Sequence, residues 1–127
     1  MVGGILITHG SMAQALIKAA ETIMGKIPHI YGFSTTDLSI ATIVERIERI
    51  VADDAWPRET MILVSLKGGS CWNAALTAKK KLPKIVVVSG VNLSMLLSFA
   101  TKRDDESLAK LVDTVVSDGI RAIDKHE

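Results

Sequence analysis

Three short segments rich in glycine and hydroxyl side chains contain the residues of this sequence that are best suited to chemistry. A neutral imidazole is a good nucleophile near neutral pH, so a histidine in such a segment is able to carry a phosphoryl group. Glycines let the backbone approach an anion closely, and the N–H groups at the start of a helix favour negative charge. The segments are Thr8-His9-Gly10-Ser11, Lys67-Gly68-Gly69-Ser70 and Ser89-Gly90-Val91-Asn92. His9 is therefore a candidate phosphoryl acceptor.

The elements around these segments indicate how they are positioned. Apolar runs rich in β-branched residues alternate with longer segments of helical period, which is typical of a parallel sheet covered by helices on both faces. We therefore expect a three-layer α/β fold with a central, mostly parallel sheet, and we take 2-1-3-4 as the hypothesis for its strand order. Strands are predicted over 3–8, 28–33, 60–66 and 84–88, and helices begin near residues 11, 39, 71, 93 and 104 and end near 25, 53, 81, 100 and 118.

Sheets of this kind bind ligands at the carboxyl ends of their strands, especially where the strand order reverses. If the order is 2-1-3-4, His9 and the Gly68-Gly69 pair flank that reversal and face each other across one crevice. The hydroxyls of Thr8 and Ser70, the backbone of Gly10 and the amide of Gly69 are then candidate phosphate-binding groups. The residues alone fit a second interpretation equally well, in which His9 is a polar strand end and the glycine pair is a tight turn.

The remaining histidines and the cysteine fit structural roles. His29 opens a strand beside a proline, and His126 lies in the C-terminal tail. Cys71, near a helix start, is a candidate nucleophile, but no second histidine is placed to activate it. Trp72 fits a core position better than an exposed docking surface. We expect no cofactor and no metal, because no group of histidines or carboxylates has ligand spacing.

The composition argues against several functional classes. A chain of 127 residues fits one domain, predicted over 1–127, and 15 Lys+Arg against 14 Asp+Glu leaves no excess charge for nucleic acid or an anionic membrane. One cysteine permits no internal disulfide and suits a reducing compartment. No apolar run approaches the roughly 20 residues that span a bilayer. We therefore expect a cytoplasmic protein with no direct membrane insertion and no nucleic-acid partner.

Three groups of residues together resemble a known family. They are Gly4-Ile5-Leu6-Ile7-Thr8-His9-Gly10, then Gly68-Gly69-Ser70 with Asn73-Ala74-Ala75, then Gly90-Val91-Asn92-Leu93 with Met95-Leu96. Their order and spacing over essentially the whole chain resemble the enzyme IIA domain of the mannose-type bacterial sugar phosphotransferase system (PTS). The resemblance implies that His9 accepts a phosphoryl group from the phosphocarrier HPr and passes it to a histidine of a cognate enzyme IIB.

The same resemblance implies a homodimer. Members of the family pair through a short C-terminal strand that is exchanged between subunits. In this sequence Gly119 has the character of a helix stop, and the residues after it, 120–124, form a short extendable segment. We therefore expect the last helix to end at Gly119 and an edge strand to follow it.

Two residues depart from the family pattern. The resemblance implies an aspartate that hydrogen-bonds the active histidine, but Ser65 occupies that position, and Lys67 replaces an aromatic residue. We expect Ser65 to orient His9 weakly and Lys67 to bind the phosphate. The loss of the carboxylate favours an alternative, a degenerate or regulatory domain that binds partners without efficient transfer. A phosphocarrier serving dihydroxyacetone kinase fits less well, because its loop usually reads Met-Gly-Ser-Ala.

Overall fold

Four parallel strands form the centre of the structure, a computed structural model that describes residues 1–127. The strand order is β2-β1-β3-β4, and five helices lie on the two faces of the sheet. The elements are β1 (Val2–Thr8), α1 (Met12–Met24), β2 (Ile30–Ser34), α2 (Ile40–Ala52), β3 (Glu59–Val64), α3 (Ser70–Lys81), β4 (Ile85–Ser89), α4 (Leu93–Lys102) and α5 (Leu108–Arg121). The predicted α/β class and the order 2-1-3-4 are confirmed.

Side chains of the inner strands alternate between two apolar layers, as the pleat requires. On β1, Leu6 packs into the layer formed with α1, α4 and α5, whereas Ile5 and Ile7 pack into the layer formed with α2 and α3. On β3, Leu63 belongs to the first layer and Val64 to the second. Because both faces of the sheet are covered, these strands show continuous apolar runs in the sequence.

The register of the strands brings the candidate segments to one edge. Ile7 of β1 pairs with Val64 of β3, and Thr8 pairs with Ser34 of β2. In a parallel sheet the residues that follow these positions emerge on the same side. The turns after β1, β2 and β3 therefore meet at the carboxyl edge of the sheet, where His9 lies.

The C-terminal region differs from the sequence-based expectation. Helix α5 begins at Leu108 rather than near residue 104, because the Ser107 hydroxyl accepts a hydrogen bond from the Lys110 N–H and caps it there. The helix continues through Gly119 to Arg121, and residues 122–127 form no strand. The predicted stop at Gly119 is wrong, and the predicted edge strand is not formed in this structure.

Close packing explains the glycine at this position. A Cβ atom on Gly119 would lie 2.3 Å from Cγ of Met95, which is on α4. The Met95 side chain is buried, so it cannot move aside freely. Gly119 is therefore a contact residue between α4 and α5 and not a helix terminator.

Candidate functional site

His9 is the first residue after β1, and its side chain is exposed at the carboxyl edge of the sheet. The alternation of β1 directs it towards the face covered by α2 and α3. Its Nε2 atom lies 3.3 Å from the Ser70 hydroxyl, and its Nδ1 atom lies 3.9 Å from the Cys71 thiol. The structure thus brings His9 against the first two residues of α3, as a crevice between the first and third strand ends requires.

Helix α3 begins beside the imidazole without a capping side chain. Gly69 occupies its N-cap position and provides no side-chain hydrogen bond. By contrast, side-chain oxygens of Ser39, Asn92 and Ser107 cap α2, α4 and α5. Uncapped N–H groups in a first turn are available to an anion and carry the positive end of the helix dipole. The start of α3 therefore presents free N–H donors and positive partial charge beside the imidazole.

Two glycines give the loops around the imidazole their shape. Gly10 has a φ of +57° and Gly68 a φ of +83°, in the left-handed region where a Cβ atom is unfavourable. A Cβ atom added to either glycine would have no neighbour within 4 Å, so the requirement is conformational and not steric crowding. The Gly10 N–H donates to the Thr36 hydroxyl at 3.2 Å, which holds the turn after β1 against the turn after β2.

Thr8 has a different role from the one expected. Its side chain has no exposed surface, and its hydroxyl accepts a hydrogen bond from the Ala13 N–H at 2.8 Å. The threonine therefore supplies the missing cap at the start of α1, where Ser11 makes no side-chain hydrogen bond. A buried hydroxyl with this partner is not placed to meet a phosphate on an exposed imidazole.

Ser65 and Lys67 follow β3 on the way to α3. The Ser65 hydroxyl is buried and has no hydrogen-bond partner, so it does not contact His9 in this structure. The alternation of β3 accounts for this, because Leu63 faces the α1, α4 and α5 layer and a residue two positions later points the same way. Lys67 is exposed and forms no ion pair, so its ammonium group is free to meet an anion.

The contact between Cys71 and His9 does not follow from the sequence patterns. Cys71 is only 1% exposed, and its thiol lies 3.3 Å from the hydroxyl of Thr35, which follows β2. Thr35 is not among the residues that the sequence marks as candidates. The one signal for it in the sequence is its position directly after a strand that borders the first strand, at the same edge as His9.

The other two histidines lie away from this site. His29 precedes β2, at the opposite edge of the sheet, where its ring packs edge-on against Trp56 with the ring centroids 6.1 Å apart. His126 is in the exposed tail. Trp72 is half-buried against the α2 and α3 layer, in agreement with a core role. None of the five helices combines the length and the apolar character that are needed to cross a membrane.

Comparison with known proteins identifies relatives of this chain. The family model described as "PTS system fructose IIA component" matches residues 3–116. The mannose-specific EIIAB component of Escherichia coli K12 is 31% identical over 114 residues, which cover 88% of this chain and 35% of that protein. The sorbose-specific EIIA component of Klebsiella pneumoniae is 29% identical over 102 residues, 76% of this chain and 71% of that protein. This chain thus spans about a third of its mannose-specific relative.

Solved structures agree with this result. The phosphotransferase system component EIIA of Streptococcus agalactiae superposes with a TM-score of 0.90 at 26% identity, covering 98% of this chain and 97% of that one. The mannose/sorbose-specific IIA subunit of Enterococcus faecalis gives a TM-score of 0.84 at 25% identity, covering 99% and 95%. The chain therefore belongs to the family of PTS IIA components, and within that family it is similar to the mannose and sorbose type.

Proposed function

We propose that this chain is a phosphoryl carrier that accepts a phosphoryl group from phospho-HPr on His9 and passes it to a histidine of an enzyme IIB. The observation that carries the proposal is the position of the exposed His9 Nε2 atom, 3.3 Å from the Ser70 hydroxyl at the uncapped start of α3. A nucleophile, a hydroxyl donor and free helix N–H groups converge there. Phosphoryl transfer needs little more than positioning and charge stabilisation.

The geometry supports a direct transfer between imidazoles. The Nε2 lone pair of His9 attacks phosphorus, the bond from phosphorus to the HPr nitrogen breaks, and that electron pair returns to the HPr imidazole. The Ser70 hydroxyl is then placed to donate its proton to a phosphoryl oxygen. The Gly69–Ser70 helix start and the Lys67 ammonium group stabilise the added negative charge.

The partners of the reaction are part of the proposal. Exposed apolar side chains near His9, among them Met12 on α1 and Leu66 beside Lys67, offer a contact surface for HPr and enzyme IIB. The Escherichia coli relative is named an EIIAB component, which supports a IIB receiver for this chain. We propose a cytoplasmic location, because both exchanges require contact with soluble partner proteins.

We further propose that the chain forms a homodimer. Ile120 and Ile123 are 64% and 77% exposed, and they line an apolar groove together with Met95 and Val116 at the β4 edge of the sheet. Burying these side chains against a second copy would remove apolar surface from water. Since residues 122–127 form no strand here, the proposed contact uses the end of α5 and the groove.

The carrier function is tested by incubating the chain with phosphoenolpyruvate, enzyme I and HPr and measuring its intact mass. We expect the mass of the chain to increase by that of one phosphoryl group. Treatment with acid should remove this group, and mixing with enzyme IIB should transfer it to that protein. An unchanged mass, while HPr in the same tube is phosphorylated, contradicts the proposal. That result would favour the alternative of a regulatory domain that binds partners without transfer, which the absence of the family aspartate at Ser65 suggests.

A further inference from the structure

The nitrogen of His9 that faces the protein lies at the end of a chain of polar groups. Its Nδ1 atom is 3.9 Å from Sγ of Cys71, and Sγ is 3.3 Å from the Thr35 hydroxyl oxygen. The Thr35 hydroxyl in turn donates to the Thr8 carbonyl at 3.4 Å. Cys71 and Thr35 are both buried, with exposed fractions of 1% and 6%, so water does not substitute for these contacts.

The available protons determine which group donates and which accepts in this series of hydrogen bonds. The single hydroxyl proton of Thr35 is used on the Thr8 carbonyl, which leaves the Thr35 oxygen as an acceptor. The Cys71 thiol has one proton, and Thr35 is the acceptor that lies closer to it. The sulfur then presents only lone pairs to His9, so a favourable contact requires a proton on Nδ1.

We propose that Cys71, held by Thr35, is a positioning residue that keeps the neutral His9 imidazole in the tautomer with its proton on Nδ1. In that tautomer Nε2 carries the lone pair, and Nε2 is the exposed nitrogen beside Ser70. Free histidine favours the other tautomer, in which Nε2 is protonated and is not a nucleophile. The role deepens the carrier function proposed above and rests on it.

The structure leaves this role open for Cys71 because no carboxylate contacts the imidazole. The only contacts of the His9 ring nitrogens are the Ser70 hydroxyl and the Cys71 thiol. The Ser65 hydroxyl, at the position of the family aspartate, is buried without a partner. Sulfur is a weaker acceptor than a carboxylate, but burial at the helix start fixes its position and excludes competing water.

The tautomer is measured directly in the unphosphorylated protein. Long-range ¹H–¹⁵N spectra of the ¹⁵N-labelled full chain, recorded at a pH where the ring is neutral, separate the protonated ring nitrogen from the bare one. We expect the wild-type His9 to carry its proton on Nδ1. Cys71→Ala removes the acceptor, so the ring should change to the Nε2-protonated form, and the rate of phosphoryl transfer should fall on the order of tenfold.

Two further variants separate positioning from packing. Cys71→Ser keeps one donor and one acceptor and should retain the Nδ1-protonated form. Thr35→Val deprives the thiol of its acceptor, so the thiol should donate to His9 and change the tautomer although Cys71 is intact. Thr77→Val is the matched control, because the Thr77 hydroxyl lies later on α3 and bonds only to the Asn73 carbonyl. It should leave the His9 spectrum unchanged.

A wild-type His9 protonated on Nε2, or an Nδ1-protonated ring in either Cys71→Ala or Thr35→Val, overturns the inference. A different result would contradict the carrier function alone. A wild-type chain that holds the Nδ1-protonated form but takes no phosphoryl group from phospho-HPr contradicts the proposed function and not the positioning role.

Discussion

The Ser70 hydroxyl lies 3.3 Å from Nε2 of His9, although 61 positions separate the two residues in the chain. They meet because β1 and β3 are neighbours in the sheet and both residues follow the carboxyl ends of these strands. Ser70 is also the first residue of α3. The same short segment therefore presents a hydroxyl and a helix N-terminus to the nitrogen that is proposed to carry the phosphoryl group.

Ser70→Ala should weaken retention of the phosphoryl group on His9. A hydrogen bond to a charged oxygen contributes about 1.5–3 kcal/mol, so the phosphoryl equilibrium should shift towards HPr by about tenfold or more. The measurement is the ratio of phosphorylated chain to phospho-HPr after the two are mixed and equilibrated. Ser117→Ala, on the exposed face of α5, is the control and should leave the ratio unchanged. An unchanged ratio in Ser70→Ala would remove Ser70 from the phosphate-binding groups.

Gly119→Ala should destabilise the fold. The added Cβ atom would meet Cγ of Met95 at 2.3 Å, and overpacking of this kind costs about 1–3 kcal/mol. A contact as short as 2.3 Å to a buried side chain implies the upper part of that range, which the roughly 1 kcal/mol by which alanine is the better helix former offsets only in part. Urea unfolding at neutral pH measures the difference. Asp113→Ala, on the exposed face of the same helix, should cause little change, and a stabilised Gly119→Ala would show that α4 and α5 are not in close contact here.

Asp118 should contribute to stability at neutral pH and lose that contribution in acid. Hydrogen bonds from Lys102, Ser98 and Arg121 lower the pKa of this carboxyl from its ordinary value of 3.8. A carboxyl whose pKa is lower in the folded state stabilises the fold above the unfolded-state pKa, and the effect is lost as the pH falls towards the folded-state value.

The free energy of unfolding of Asp118→Asn should therefore be below that of the wild type at pH 7, and the difference should shrink as the pH falls below about 4. Urea titrations of the wild type and the variant at pH 7 and at about pH 3 provide the test. Asp113→Asn, an exposed carboxylate without an ion pair, is the control. A gap that stays constant down to about pH 3 would mean that the ion pairs of Asp118 do not set its pKa.

A double substitution, Ile120→Asp with Ile123→Asp, should shift the proposed dimer to a monomer. It places two charges on the apolar groove at the end of α5 while leaving the buried face of the helix intact. Sedimentation velocity over a concentration series measures the effect. Ile23→Asp, at an exposed position on α1, should not change the assembly. A monomeric wild type, or a dimer that is unaffected by the double substitution, contradicts the proposed contact.

The sequence predicted those parts of the fold that depend on local patterns. The unbroken apolar run before His9 indicates a strand buried on both faces, and the alternation of strands with helices indicates a parallel sheet. The strand order does not follow from that alternation, and the structure confirms the order taken as a hypothesis. Gly25 was correctly predicted to end α1, because its φ of +86° is the conformation that glycine favours at a helix end. Gly119 carries the same local signal for a different reason, and only the position of Met95 distinguishes the two cases.

The candidate site was predictable in outline but not in its contacts. The convergence of His9 with Ser70 follows from strand order alone. The contact with Cys71 depends on which face of the sheet each side chain occupies. Thr35 lies in a segment, 34–38, whose residues indicate a turn but not a contact with α3. The family pattern predicts a contact between Ser65 and the imidazole, whereas the buried Ser65 hydroxyl has no partner. Beyond the end of a strand, the direction of a side chain depends on tertiary packing and not on the local sequence pattern.

Substitution of each histidine in turn tests most directly whether His9 carries the phosphoryl group. His9→Ala, His29→Ala and His126→Ala are each incubated with phosphoenolpyruvate, enzyme I and HPr, and acid-labile phosphate is measured on the intact chain. We expect no label on His9→Ala and wild-type labelling of the other two, since only His9 lies beside the start of α3. Label that persists on His9→Ala and disappears with His29→Ala or His126→Ala would contradict the account.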